Sequence, residues 1–93
     1  MELIFRPRFK YDIDKIKDKE VLQNISVILR QIEESKDINQ IGSLVKLEKY
    51  VHFYRIKIKL STRKDYRLGL MIRGRKVWAE RIATRRKIYK DFP

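Results

Sequence analysis

Cysteine is missing from this sequence of 93 residues, histidine and tryptophan occur once each, proline twice and glycine three times. Without cysteine there is neither a disulfide framework nor a thiolate metal site, and a small domain without such staples fits a reducing compartment, so a cytoplasmic location is expected. A lone histidine, with the carboxylates concentrated in the first half, leaves little from which to build a metal site, so neither metal nor other cofactor is expected. There is no Gly-rich phosphate loop and no serine-triad motif. No apolar run approaches the roughly 18 to 20 residues of a membrane span, and the opening Met1-Glu-Leu-Ile-Phe-Arg6 lacks the basic then apolar layout of a signal peptide. No repeat, linker or low-complexity stretch interrupts the chain, and residues 1–93 are expected to form a single domain around one core.

What the chain has is apolar material and positive charge. A hydrophobic fraction of 43% and ten aromatic residues place it among globular chains, although 39% of its residues are charged. The formal net charge is +12 and it is segregated. Residues 1–45 carry eight Lys or Arg against eight Asp or Glu, whereas residues 46–93 carry sixteen against four. Charge placed only for solubility would be spread more evenly. The first half therefore reads as balanced scaffold, and the second as a field suited to a polyanion such as RNA or DNA.

The hydrophobic period changes from helical to extended near Leu44. Met1 to Phe5 reads as a short strand closed by Pro7. Phe9, Ile13 and Ile16 make one helical stripe with Asp12, Asp14, Lys15 and Lys17 on its wet side, and Asp18 is a candidate N-cap for a second helix. There Val21, Leu22, Ile25, Ile28, Leu29 and Ile32 give the strongest periodic pattern in the chain, running to about Ser35. Two helices joined so closely make a hairpin, and Asp37 to Ser43 has turn composition. Strands are expected over Leu44 to Lys49, His52 to Leu60, Tyr66 to Arg73 and Lys76 to Thr84, with turns at Ser61 to Asp65 and at Arg73-Gly74-Arg75. Tyr54, Ile56, Ile58 and Leu60 share one face, and Arg55, Lys57 and Lys59 the other. In the last strand Trp78 and Ile82 are assigned to one face and Ala79, Arg81 and Ala83 to the opposite one, with Trp78 in the core. Arg85 to Phe92 adds a terminal helical turn. The expected fold class is α+β: an N-terminal helical hairpin packed on a twisted, mainly antiparallel sheet of four to five strands with a short C-terminal helical turn, the arginines and lysines gathering on the face opposite the hairpin or at one end of it.

The segments Tyr54-Arg-Ile-Lys57, Asp65-Tyr-Arg-Leu-Gly-Leu70 and Arg85-Arg-Lys-Ile-Tyr-Lys-Asp-Phe-Pro93, preceded by Phe5-Arg-Pro-Arg-Phe9 and Asp12, resemble in kind and order the RelE/ParE superfamily of bacterial and archaeal toxins. The likeness spans nearly the whole chain. It departs from the family at Arg63-Lys64-Asp65, where relatives often carry Gly-Asp. The resemblance implies the RelE-like fold and the toxin half of a type II toxin–antitoxin system. It further implies ribosome-dependent, metal-independent cleavage of mRNA, and an acidic, partly disordered RelB-like antitoxin. Carried over by position, it implies catalytic roles for Lys57, Arg67, Arg85 and Tyr89 and RNA binding by Arg55, with Lys59, Arg73 and Arg81 as further RNA-binding candidates.

Cutting RNA without a metal requires the 2′-hydroxyl to attack the adjacent phosphate, so the site must remove one proton, supply another and stabilise negative charge on phosphorus. Arg67 and Arg85 suit the third task through their forked guanidinium groups. A lysine crowded by other cations parts with its proton more readily, which makes Lys57 a candidate general base. Tyr89 can donate a proton or stack on a base. Each role has a plain alternative: a solvated strand face for Arg55, Lys57 and Arg67, and closure of the core beside Ile88 and Phe92 for Tyr89. His52 shares the parity of Tyr54 and Ile56, away from the basic residues, and reads as a strand start. The rival functions are a ParE-type inhibitor of DNA gyrase and a non-catalytic basic module that holds RNA phosphates. Arg67 and Arg85 are both expected outside the core.

Overall fold

Pro7 is where the first strand gives way to the first helix. In the computed structural model, which describes residues 1–61 and 63–93, strand β1 spans Glu2–Phe5 and helix α1 spans Pro7–Lys15. Proline is therefore a helix starter here as well as a strand terminator: at the first helical position its missing N–H costs nothing. Helix α2, Lys19–Glu34, begins at the expected cap, where the Asp18 carboxylate accepts from the amides of Glu20 at 2.9 Å and Val21 at 3.4 Å. Its Val21, Ile25 and Ile32 are buried. The α-amino group of Met1 donates to the carbonyls of Glu33 and Ser35, placing a positive charge at the negative end of α2.

A 3-10 turn at Ile38–Gln40 leads to β2 (Leu44–Lys46), β3 (Phe53–Ile58), β4 (Tyr66–Arg73), β5 (Lys76–Thr84) and helix α3 (Arg85–Asp91). The five strands form one sheet in the order β1-β5-β4-β3-β2. β1 runs parallel to β5, and the other pairs are antiparallel. One sheet face packs on α1 and α2 through Ile56, Ile58, Leu68, Leu70, Ile72, Val77, Ala79 and Ile82, which meet Phe9, Val21, Ile25 and Ile32 in the main core. The other face carries α3, whose Ile88 is buried, as is Ala83 of β5, both outside the main core cluster. Among the described residues no helix is long and apolar enough to cross a membrane.

Several elements differ from the sequence reading. β2 stops at Lys46, because residues 47–52 form the hairpin loop. His52 precedes β3, is exposed and takes a left-handed φ of 73°, so it does not share the core-facing parity assigned to it. The turn expected over Ser61 to Asp65 includes Thr62, which lies outside the described residues.

The largest correction concerns β5. Gly69 pairs with Arg81 and Leu70 with Ala79, so Glu80 is the extra residue of a β-bulge. The bulge inverts the alternation midway: Val77 and Ala79 face the core before it and Ile82 after it. Trp78 is thereby excluded from the core. It pairs with Ile4 and Met71 on the opposite face, with the Arg6 guanidinium 5.6 Å from its ring centre. Asp12 is not on a wet side either, since its side chain is only 10% exposed and accepts from Arg81 at 2.7 Å and from the Ile82 amide just past the bulge at 3.0 Å.

Candidate functional site

The cross-strand register brings the basic residues of three elements to one end of the sheet. Lys57 stands opposite Arg67, and Arg67 opposite Ala83, on the face away from α1 and α2. Two residues beyond Ala83 the chain turns into α3, and the Arg85 amide donates to the Asp65 carbonyl at 2.6 Å, tying the start of the helix to the loop before β4. In α3 a four-residue spacing sorts the side chains: Ile88 and Phe92 turn to the sheet, while Arg85 and Tyr89 lie together along one flank. The Arg85 guanidinium is 5.5 Å from the Tyr89 ring centre and the Arg67 guanidinium 6.0 Å.

Gly69 lets the helix lie so close. A Cβ at that position would meet the Phe92 ring at 2.8 Å, so only glycine leaves room for the ring on the strand. Phe53 then packs edge-on against Phe92 at 5.8 Å between ring centres.

Asp65 sits at the centre of this group and was not among the expected site residues. Its carboxylate accepts from Arg67 Nε at 3.0 Å and Nη2 at 3.4 Å, leaving Nη1 to reach the Tyr89 hydroxyl at 3.4 Å. The hydrogen bonds from Arg67 hold the Asp65 carboxyl below its ordinary value of 3.8, helped by the charges of Arg67, Lys57 and Arg85. One carboxylate thus senses all three cations. The Asp65-Tyr66-Arg67 triplet held the signal, because residues i and i+2 at a strand start share a face.

Arg67 is buried, at 7% exposure, contrary to the expectation that it lies outside the core. The reason is local: α3 covers this end of β4, and Asp65 makes burial of the guanidinium tolerable. All three of its guanidinium nitrogens have partners, two on Asp65 and one on the Tyr89 hydroxyl, so Arg67 is placed to orient Tyr89. Arg85 is exposed and enters no ion pair among the described residues. Tyr89 is 49% exposed, so it does not close the core, whereas its neighbour Ile88 does.

Of the remaining candidates, Arg55 stands opposite Gly69 on the same face as Lys57. Lys59 lies just past the end of β3 and lines, with Lys57, Arg63, Lys64 and Asp65, a hollow of about 320 Å³. A second hollow, about 410 Å³, is bounded by Asp65, Thr84, Arg85, Arg86 and Tyr89. Arg73 is at the far end of β4, beside the Gly74 turn and six residues from Arg67, about 20 Å along the strand. It does not join the cluster. Arg81 is likewise withdrawn: its side chain is 11% exposed and is held by Asp12 at 2.7 Å and by Asp91. Two carboxylates around one guanidinium make a clamp between α1, β5 and α3 rather than a site for a phosphate. Among the described residues no group of three or more His, Cys, Asp or Glu side chains is gathered where a metal ion could be held.

A mixed five-stranded sheet with two helices on one face and a short C-terminal helix carrying a basic cluster on the other defines an α+β fold of RelE type, and comparison bears this out. The chain superposes on a chain from the crystal structure of the RelB–RelE antitoxin–toxin complex of Methanococcus jannaschii, with a TM-score of 0.73 at 22% identity over 97% of this chain and 99% of that one. It also superposes on the solution structure of the conserved hypothetical protein HP0894 of Helicobacter pylori, with a TM-score of 0.62 at 22% identity over 92% and 96% of the two chains. In sequence it is 24% identical over 94 residues, the full length of both proteins, to Toxin RelE3 of Methanocaldococcus jannaschii. No family model matches the chain. The structural likeness carries the fold, and over its full length the chain is similar in sequence to a RelE-type toxin.

Proposed function

We propose that this protein is the toxin of a type II toxin–antitoxin pair and acts as an endoribonuclease on mRNA held by the ribosome. The observation that carries the reading is the convergence of Lys57, Arg67, Arg85 and Tyr89, from three separate elements, around Asp65 at one exposed end of the sheet. Cations scattered for solubility have no reason to meet an aromatic hydroxyl at one spot. A site that must bind a phosphodiester and move protons about it has that reason.

The roles follow from exposure and partners. Arg85, exposed and without an ion pair among the described residues, presents its fork to the phosphate oxygens. Lys57, also exposed, adds a second positive charge beside it. Lys57 and Tyr89 are the two groups able to exchange a proton with the attacking 2′-hydroxyl and the leaving 5′-oxygen. Arg67, fixed by Asp65, steadies the Tyr89 hydroxyl and adds its charge from behind. Attack of the 2′-oxygen breaks the bond from phosphorus to the 5′-oxygen, leaving a 2′,3′-cyclic phosphate on one fragment and a 5′-hydroxyl on the other. The same basic surface suits an acidic antitoxin that folds on it, as the antitoxin partner in the M. jannaschii complex suggests by analogy.

Primer extension on translated mRNA tests the reading. Discrete cuts within codons, lost in Arg85→Ala, are expected. Intact message with retained RNA binding would instead identify a non-catalytic module, and accumulated cleaved DNA a gyrase poison. Copurification with the product of the neighbouring small open reading frame, and restored growth on co-expression, test the partner.

A further inference from the structure

A further basic hollow, about 260 Å³ in volume, lies between α1 and the β5–α3 junction. Its walls include Arg8, Tyr11 and Lys15 from α1, Tyr66 from β4, and Thr84 and Lys87 from the junction. Thr84 also borders the hollow beside Arg85 and Tyr89, so the two depressions meet at that residue. The carboxylates nearby are already matched. Asp12 is bound to Arg81, and Asp91 bridges Arg81 and Arg8. Lys15 and Lys87 enter no ion pair among the described residues, so their charges remain for a ligand. Tyr11 on the α1 wall is 61% exposed, with the Lys15 ammonium 4.1 Å from its ring centre. Tyr11 is thus a large exposed aromatic outside the core, set in a hollow with two lysines whose charges no carboxylate among the described residues matches.

From this we infer that the cleft between α1 and α3 is a binding subsite for single-stranded RNA flanking the cut. One unpaired base stacks on Tyr11 while Lys15 and Lys87 hold the adjoining phosphates. This rests on the nuclease reading for its ligand and extends it in direction: the strand leaves the Arg85 and Tyr89 cluster, crosses the chain at Thr84 and enters the cleft. Cationic grooves carrying aromatic platforms hold single strands with little regard to sequence, because every base offers a stacking face. Arg81, although it lines the cleft, contributes only rigidity, since its donors are spent on Asp12 and Asp91.

The test is fluorescence anisotropy of a short fluorescein-labelled RNA with 2′-O-methyl sugars, which binds but cannot be cut, titrated over a series of salt concentrations. Lys15→Gln and Lys87→Gln should each reduce the slope of log affinity against log salt by about one, as loss of a phosphate contact does. Tyr11→Leu should weaken binding about tenfold and leave the slope unchanged, as loss of a stacking partner does. Lys36→Gln, a charge beyond the far end of α2, should alter neither. Unchanged slopes in both cleft variants, or an equal loss in Lys36→Gln, would overturn the subsite. So would variants that bind RNA normally but lose affinity for the antitoxin, which would make the cleft a protein-docking surface. Cleavage by the unaltered protein on ribosomes is scored separately: cutting with unaffected slopes sinks the subsite alone. Altered slopes without cutting sink the nuclease and leave an RNA-binding cleft.

Discussion

Arg67 and Asp65 form an ion pair of 3.0 Å in which the arginine side chain is 8% exposed and the carboxylate 35%. The pair holds the strand-start loop against β4 and fixes the guanidinium edge that faces Tyr89. It links the stability of this end of the sheet to the geometry of the candidate site.

Replacing Arg67 by alanine should therefore cost stability as well as activity. The change removes three hydrogen bonds and uncovers the space beneath α3, a loss of about 1–3 kcal/mol once solvent access to Asp65 is allowed for. Arg85→Ala should abolish cleavage while leaving the melting temperature within about a degree or two, because Arg85 is exposed, has no ion pair among the described residues and meets only the half-exposed Tyr89 ring. Thermal melts of the two variants side by side check this. Equal melting temperatures would show that the Asp65 pair contributes nothing to the fold.

Acid should destabilise the protein through three carboxylates. Asp65 beside Arg67, Asp91 beside Arg8 and Arg81, and Asp18 beside Lys64 and at the cap of α2 all titrate below their ordinary value of 3.8. With folded values depressed, the unfolded chain binds more protons at low pH, so stability rises with pH across that window. The contribution is fully present above about pH 5 and is lost as the pH falls through 3.8 toward the folded values. Melting temperature measured against pH should be level near neutrality and fall below about pH 5, with a shallower fall in Asp65→Asn. A curve for Asp65→Asn parallel to that of the unaltered protein would remove Asp65 from the account.

The Asp12–Arg81 clamp leads to the opposite pairing of effects. Both side chains are about nine-tenths buried, so Asp12→Ala leaves the Arg81 guanidinium to Asp91 alone and the Ile82 amide without its acceptor, and should cost about 1–3 kcal/mol. Cleavage by the fraction that remains folded, measured with RNA fully bound, should match that of the unaltered protein, because the clamp borders the α1–α3 cleft but contributes no group to the cluster around Asp65. Single-turnover rates at a temperature where the variant is folded distinguish the cases, and a large fall in rate there would bring Arg81 back into the site.

Period and charge made much of the fold readable beforehand. The α2 stripe, its Asp18 cap, the alternation of Tyr54, Ile56 and Ile58, and the tight turn at Gly74 are local signals, and local signals survive into structure. What escaped were consequences of contacts between distant residues. The bulge at Glu80 leaves no mark on composition, yet it reverses the facing of everything before it and moves Trp78 out of the core. Arg81 reads as one more free cation until α1 delivers Asp12 to it across 69 positions of sequence. The cluster itself was legible as residue types, since Lys57, Arg67, Arg85 and Tyr89 come together, but the burial of Arg67 depends on where α3 docks. Asp65 was visible only as a carboxylate in a turn.

The contact between Gly69 and Phe92 gives the sharpest test of that docking. A methyl group on residue 69 would lie 2.8 Å from the ring, closer than packed atoms tolerate, and the ring is the part able to yield. Gly69→Ala should push Phe92 off the strand, lift the end of α3 and swing Tyr89 away from Arg67. The expected stability cost is about 1–3 kcal/mol, accompanied by a loss of cleavage out of proportion to it. In a Phe92→Ala background the clash has no partner, so adding Gly69→Ala should then cost almost nothing, and the double-mutant cycle should show a favourable coupling of about 1 kcal/mol or more. Strict additivity of the two substitutions would mean that Ile88, the Arg85 amide and the Asp91 ion pairs hold the helix without the Phe92 contact, and that the sheet glycine has no part in placing Tyr89.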